Sequence, residues 1–390
     1  MNVKILAIVI VVILVAAGGI AAFFFLGGEK DREINMIAAV NQEGSGIYIS
    51  SDINKNDMFD FSKPIPEPIP SGWGGKVFGT PGTKSIQHTQ LLDIVVNKLN
   101  MRFVLYRASE TLQPDVVYFD SGITNATAAL TTPHINGGIL WQPQYQKIIE
   151  SDKFNALATT DQLYPEHACC VLAGVHSYTS THNEETVKLL AAFVRATNWV
   201  NNALDNKSGA DYAQLLSIAK GIAGNTFTEH EVSEALDTVT YVYGNNTNDP
   251  LSTLSGSVNT LINNLTSIGE IINTAQDLGF DSTGDFIDRF LDDKFLREAL
   301  ERLSGVGPEL NNEQKSSIKV AVISGDIHQI AIHVADKLGF FEEYGLSVTF
   351  FPASNGTGVS TAIQSGEANF GLLGAPPLTI SVINSKLIKG

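Results

Sequence analysis

Thr80-Pro81-Gly82-Thr83, with Ser85 just beyond, leads into a run whose apolar residues Leu91, Leu92, Val95, Val96 and Leu99 recur at helical spacing. A helix starting there leaves its first N–H groups without intrahelical partners, free to hold an anionic oxygen. The same residues also suit a tight turn entering a helix with nothing bound. Four further polar stretches follow strand-like apolar runs: Asn41-Gln42-Glu43-Gly44-Ser45 after MIAAV, Trp141-Gln142-Pro143 closing GGILW, Gly325-Asp326-Ile327-His328 after IKVAVIS, and Gly374-Ala375-Pro376-Pro377 after NFGLL. Loops beyond the carboxyl ends of strands are where open α/β sheets collect ligands. These loops are poor in Lys and Arg, so the chemistry they suit is recognition through backbone N–H groups, hydroxyls and amides.

Each candidate carries a plainer alternative. Asp326 and Glu43 suit either helix capping or a ligand amine. His328 suits donation to an anionic headgroup, or an ordinary hydrogen-bonded histidine. Trp141 either stacks on a ligand or fills a core, and Ala375-Pro376-Pro377 also reads as punctuation between a strand and a helix. His167-Ala168-Cys169-Cys170 invites a metal, but zinc sites draw on four well-spaced ligands and adjacent cysteines share one ion poorly. A pair of buried small thiols is the reading carried forward. There is no Gly-x-Ser-x-Gly elbow, no His-Glu-x-x-His and no P-loop, so no catalytic residue, metal or cofactor is expected.

The elements that must position these loops alternate between strand and helix. Lys76–Phe78, a turn and the helix after Ser85 open a βαβ unit; RFVLYRA and GGILWQP add strands; HACCVLAGV reads as a buried strand before the amphipathic run ETVKLLAAFVRATNWVNNAL. Residues 53–75 are rich in Pro and Gly and read as a surface connection. Residues 207–303 read almost wholly helical, with breaks at 244–249 and 279–284, and 304–317 is a polar linker. From Ile318 the order is βαβαβα, the repeat of a parallel sheet, and its last helix lacks the strand that should follow.

Bulk properties narrow the class. The 390-residue chain carries 17% charged and 44% hydrophobic residues, which suits a folded protein with a large core. Its formal charge of −16 argues against nucleic acid as a partner. Ile5–Leu26 is a run of 22 uncharged residues, about 33 Å as a helix against a hydrocarbon core of about 30 Å. Residues 1–28 therefore read as a retained transmembrane anchor, with a cleaved signal as the rival. Either exports the remainder, with Lys4 on the cytoplasmic side.

SGDIHQIAIHVADKLGFFEEYGLSVTFF, SGEANFGLLGAPP, AAVNQEGSGIYIS, GKVFGTPGTKSIQH, ILWQPQY and FIDRFLDDKFLREAL together resemble the solute-binding proteins of ABC importers of the nitrate, sulfonate and taurine type. The resemblance spans about Ile34 to Gly390 and implies a two-lobed periplasmic-binding-protein type II fold. It also implies a small-molecule ligand in the interlobe cleft, and the importer's permease and ATPase subunits as partners. In that family the equivalent of 318–390 comes first and that of 285–300 last, so this chain resembles a circular permutation; a truncated tandem repeat is the alternative. On this reading 34–75 is part of lobe one and crossover, with 34–50 in lobe one; 76–160 is lobe two. Residues 161–303 return to lobe one with its C-terminal-type helices, 304–317 link, and 318–390 form the start-type segment of lobe one. Ile34–Val40 should then share a sheet with Lys319–Ser324 and Asn369–Leu373. The implied ligand loops are those named above, with Gly325, Asp326, His328, Gly374, Ala375, Pro376, Asn41, Glu43, Ser45, Thr80, Gly82, Thr83, Ser85 and Trp141 as ligand-binding candidates. An enzyme on the same fold, of pyrimidine-precursor or menaquinone-pathway type, and a membrane-anchored sensory ectodomain are the alternatives.

Overall fold

The structure, a computed structural model, describes residues 33–58, 72–245 and 249–390. The apolar run Ile5–Leu26 lies outside these, and among the described residues no helix is long and apolar enough to cross a membrane. Twelve strands are described: β1 (Ile34–Glu43), β2 (Ser45–Ser50), β3 (Val77–Gly79), β4 (Arg102–Leu105), β5 (Val116–Asp120), β6 (Gly137–Trp141), β7 (Phe154–Thr159), β8 (Ala168–Val175), β9 (Val239–Tyr241), β10 (Ser316–Ile323), β11 (Leu346–Ala353) and β12 (Phe370–Gly374). They form two six-stranded sheets, ordered β11-β10-β12-β8-β1-β9 and β4-β5-β3-β6-β2-β7, the centres of lobe one and lobe two.

In lobe one β10 runs parallel to β11 and β12, while β8 lies antiparallel between β12 and β1. Strands from near both ends of the sequence therefore share one sheet, as expected for Ile34–Val40. Both faces of that sheet are covered by helices, so β1 and β8 are buried along nearly their whole length rather than alternating. The 23-residue helix Asn183–Asp205 follows β8 and buries Leu189, Leu190, Phe193 and Val194. Arg302, at the end of helix Lys294–Leu303, is almost fully buried and pins the linker. Its guanidinium donates to Pro308 O at 2.8 Å and Glu309 O at 3.2 Å, and pairs with both oxygens of Glu184 at 2.7 and 2.9 Å.

Several boundaries differ from the sequence reading. The chain leaves lobe one at Gly44, so β2 pairs with β6 and β7 in lobe two, and the expected assignment of 34–50 to lobe one is corrected. The apolar stretch is interrupted there because Glu43 at φ +62 and Gly44 at φ +86 turn the chain between sheets instead of closing a hairpin. Strands β5 and β7 are additional. VVYFD and FNALAT are too short to separate from helix by periodicity; pairing decides them, β5 between β4 and β3 and β7 on the outer edge of β2. β9 interrupts the segment read as helical, pairing Val239–Tyr241 with Asn41–Glu43.

Candidate functional site

The two lobes meet where β1 passes into β2 and where β7 returns to β8. Strands β3 and β6 are parallel, as are β10 and β12, so Thr80–Ser85, Trp141, Asp326 and Gly374 all follow carboxyl ends at the same interlobe face. Cys170 faces Gly374 across the antiparallel pair and reaches that face from the start of β8. Between the lobes lies a cavity with about 60 Å³ of free space. At 10–15 Å³ per water-sized group, that holds roughly four to six. Lobe two contributes Pro81, Ser85, Gln87 and Trp141; lobe one contributes Asp326, His328, Asn355, Gly356, Gly374 and both cysteines.

Trp141 supplies the clearest polar demand. Its Nε1 is buried at the cavity wall and has no hydrogen-bond partner, so the N–H is a donor awaiting an acceptor. Opposite it, the ten-residue helix Gly356–Ser365 begins at the cavity, capped by Asn355 Oδ1, which accepts from Gly358 N–H at 3.0 Å. The partial positive charge of a helix N-terminus favours an anion there. A Cβ on Gly356 would come within 2.9 Å of Pro377 Cγ, so the close approach of that terminus to the strand-to-helix turn requires glycine. Ser85 caps the helix Ile86–Leu92, accepting from His88 N–H at 3.1 Å and donating to Gly82 O at 2.8 Å.

His328 acts differently. Its Nε2 lies 2.9 Å from Gly44 O, and its Nδ1 lies 2.7 Å from Asp326 Oδ1. A carbonyl only accepts, so Nε2 carries a proton. Burial opposes the imidazolium, but the Asp326 carboxylate, the charge at Cys169 and both hydrogen bonds outweigh it and push the pKa up to about 9. With both nitrogens donating, this ring is unable to serve as a base. It braces the Asp326 turn of lobe one against the crossing at Gly44, and its charge is matched by Asp326.

Asn41 of β1 faces Cys170 of β8, and the next residue, Gln42, faces Ala168. Cys169 is thus the extra residue of a β-bulge, which breaks the alternation of side chains across the sheet. Both thiols consequently line the cavity. A hydrogen bond from Cys170 holds Cys169 below the usual thiol range despite burial, and the same contact together with burial pushes Cys170 up. Among the described residues no group of three or more His, Cys, Asp or Glu side chains is placed to hold a metal.

Comparison with known proteins gives the family. The model of the NMT1-like family matches residues 9–217, more than half of the chain. The chain belongs to the NMT1-like family. A second family model, described as NMT1/THI5 like, matches residues 327–384. Similar solved structures include the ligand binding component of an ABC-type import system from Staphylococcus aureus with zinc bound, at 14% identity and TM-score 0.42, covering 68% of this chain and 74% of that one. Another is the periplasmic nitrate-binding protein NrtA from Synechocystis PCC 6803, at 10% identity and TM-score 0.46, covering 71% of this chain and 70% of that one. No curated protein matches it.

In this NMT1-like chain the cavity gathers Ser85, Trp141, Asp326, His328 and Gly374 from the sequence-derived candidates. The others stand outside its wall. Thr80 is fully buried, its hydroxyl 3.1 Å from His88 Nδ1. Ser45 is held by Thr160 Oγ1 at 3.2 Å and accepts from Gln87 Nε2 at 3.0 Å. Asn41 Oδ1 accepts from Cys170 N–H at 3.1 Å, and Glu43 Oε1 accepts from Glu166 N–H at 3.0 Å, so both secure the crossing segments. Gly82, Thr83 and Gly325 belong to the turns behind the lining residues, and Ala375 and Pro376 open the helix Ala375–Asn384. Gln87, Asn355 and Gly356 are at the wall without having been among the candidate loops. Asn355 before a helical run is a legible N-cap, whereas the side that Gln87 presents depends on how its helix packs.

Proposed function

We propose that this NMT1-like protein is an extracytoplasmic solute-binding protein, in circularly permuted segment order and tethered by residues 5–26. It captures a small anion of the sulfonate or nitrate type between its lobes and passes it to the permease and ATPase of an ABC importer. The observation that carries this reading is a small interlobe cavity lined both by Trp141, whose buried N–H has no partner, and by the start of a helix from the other lobe. Donors from both lobes converge only when the cleft is shut, so an anion accepting from both shifts the population toward the closed form. The permuted order is supported by β1 and β10 lying in one sheet. Thermal unfolding against nitrate, bicarbonate, taurine and aminopyrimidines tests the ligand class. A saturable rise in midpoint with an anion is expected, and Trp141→Phe, which keeps the ring and removes the donor, should weaken it about ten- to a hundredfold. An anion response unchanged in Trp141→Phe, or no response to any anion, refutes the reading.

A further inference from the structure

A second cavity of about 450 Å³ adjoins the first, sharing Ile86 as a common wall. It lies between the helix Ile86–Leu92, the crossing segment that returns to β8, and the helix Ser252–Ser267. That last helix turns Leu254, Val258, Ile262 and Leu265 into the core, and lines the cavity with Thr253, Ser257, Thr260 and Asn264 at spacings of three and four. Most of the remaining wall is apolar. Its size and its mainly apolar lining with a few polar groups are those of an organic ligand site, about 300–1,000 Å³.

Two acceptors on residues that line this space have nothing to accept from. Gln90 is only 6% exposed, and its Oε1 has no partner. His167 Nδ1 lies 2.7 Å from Tyr164 O, so Nδ1 is the donor and Nε2 of the neutral ring keeps its lone pair, also without a partner. Burial lowers the pKa of this imidazole, which keeps it neutral. Asp93 adds a carboxylate at the wall, and no Lys or Arg lines it. Such a wall repels anions and seeks donors.

We infer that this cavity is a second binding site, separate from the anion cavity, for a small organic amine or amidine whose N–H groups meet Gln90 Oε1 and His167 Nε2 and whose apolar body fills the rest. The inference does not depend on the proposed transport function. Calorimetric titration of the full chain with benzamidine, and with benzoate as its anionic isostere, tests it. Benzamidine should bind saturably at millimolar concentration or below, and benzoate should not. Gln90→Leu removes an acceptor that has no partner in the fold, so it should leave stability intact while weakening benzamidine about tenfold or more. His167→Phe should act in the same direction. Trp141→Phe, which touches only the first cavity, should leave benzamidine binding in place. Absence of benzamidine binding, equal binding of benzoate, or affinity that survives Gln90→Leu overturns the proposal; so does loss of benzamidine binding on Trp141→Phe.

Discussion

Stability should fall as pH rises from 6.5 to 9, because of His328. Its ordinary value of 6.5 is pushed up to about 9 in the folded protein, so the native state holds the proton more tightly than the unfolded chain does. A raised pKa contributes stability that is fully present below 6.5 and is lost as pH passes through about 9. At about 1.36 kcal/mol per pKa unit the contribution is about 3 kcal/mol, a large share of a typical folding free energy of about 5–15 kcal/mol. Urea unfolding at steps between pH 6 and pH 10, for the wild type and His328→Gln, measures it. Cys169, held below its usual range, works in the opposite sense over part of this window. The difference between the two curves isolates the imidazole together with the part of Cys169 coupled to it. On the acid side His88 and His333, lowered to about 4 by burial, contribute stability that is present above 6.5 and lost as pH falls toward 4. An optimum near neutrality is therefore expected, with the alkaline limb flattened in His328→Gln. Parallel curves for the two proteins would refute the charged brace.

Two further outcomes follow from the packing. Arg302→Met should cost about 2 kcal/mol, because it removes hydrogen bonds to Pro308 O and Glu309 O and leaves the half-exposed Glu184 with Lys188 alone. Limited proteolysis should then cut within 304–315, and an uncut linker would show that other contacts hold it. A reordered chain in which residues 316–390 precede 33–303 should keep the order β11-β10-β12-β8-β1-β9 and unfold cooperatively in urea. Loss of the cooperative transition would count against the permutation.

The alternation of elements, the helix after Ser85 and the βαβαβα order after the linker are all legible in the sequence. Each is a local pattern of apolar spacing and turn residues. The resemblance also led to the expectation that Ile34–Val40 shares a sheet with the C-terminal strands. Local pattern alone left β5 and β7 undecided, because five- and six-residue apolar runs become strands only when neighbours complete their hydrogen bonds. The division between lining and supporting residues was equally out of reach. Thr80, Asn41 and Glu43 carry polar side chains of the same kind as Ser85 and Asp326, and all five are hydrogen-bonded, but packing puts only Ser85 and Asp326 at the cavity wall. The bulge at Cys169, which turns two adjacent thiols to one cavity, exists only through the register of β8 against β1. Gln90 and His167, 77 residues apart, meet across a cavity only because the chain returns between the lobes. Residue type determined what each side chain can donate or accept; tertiary packing decided which of them remained unpaired and facing an open space.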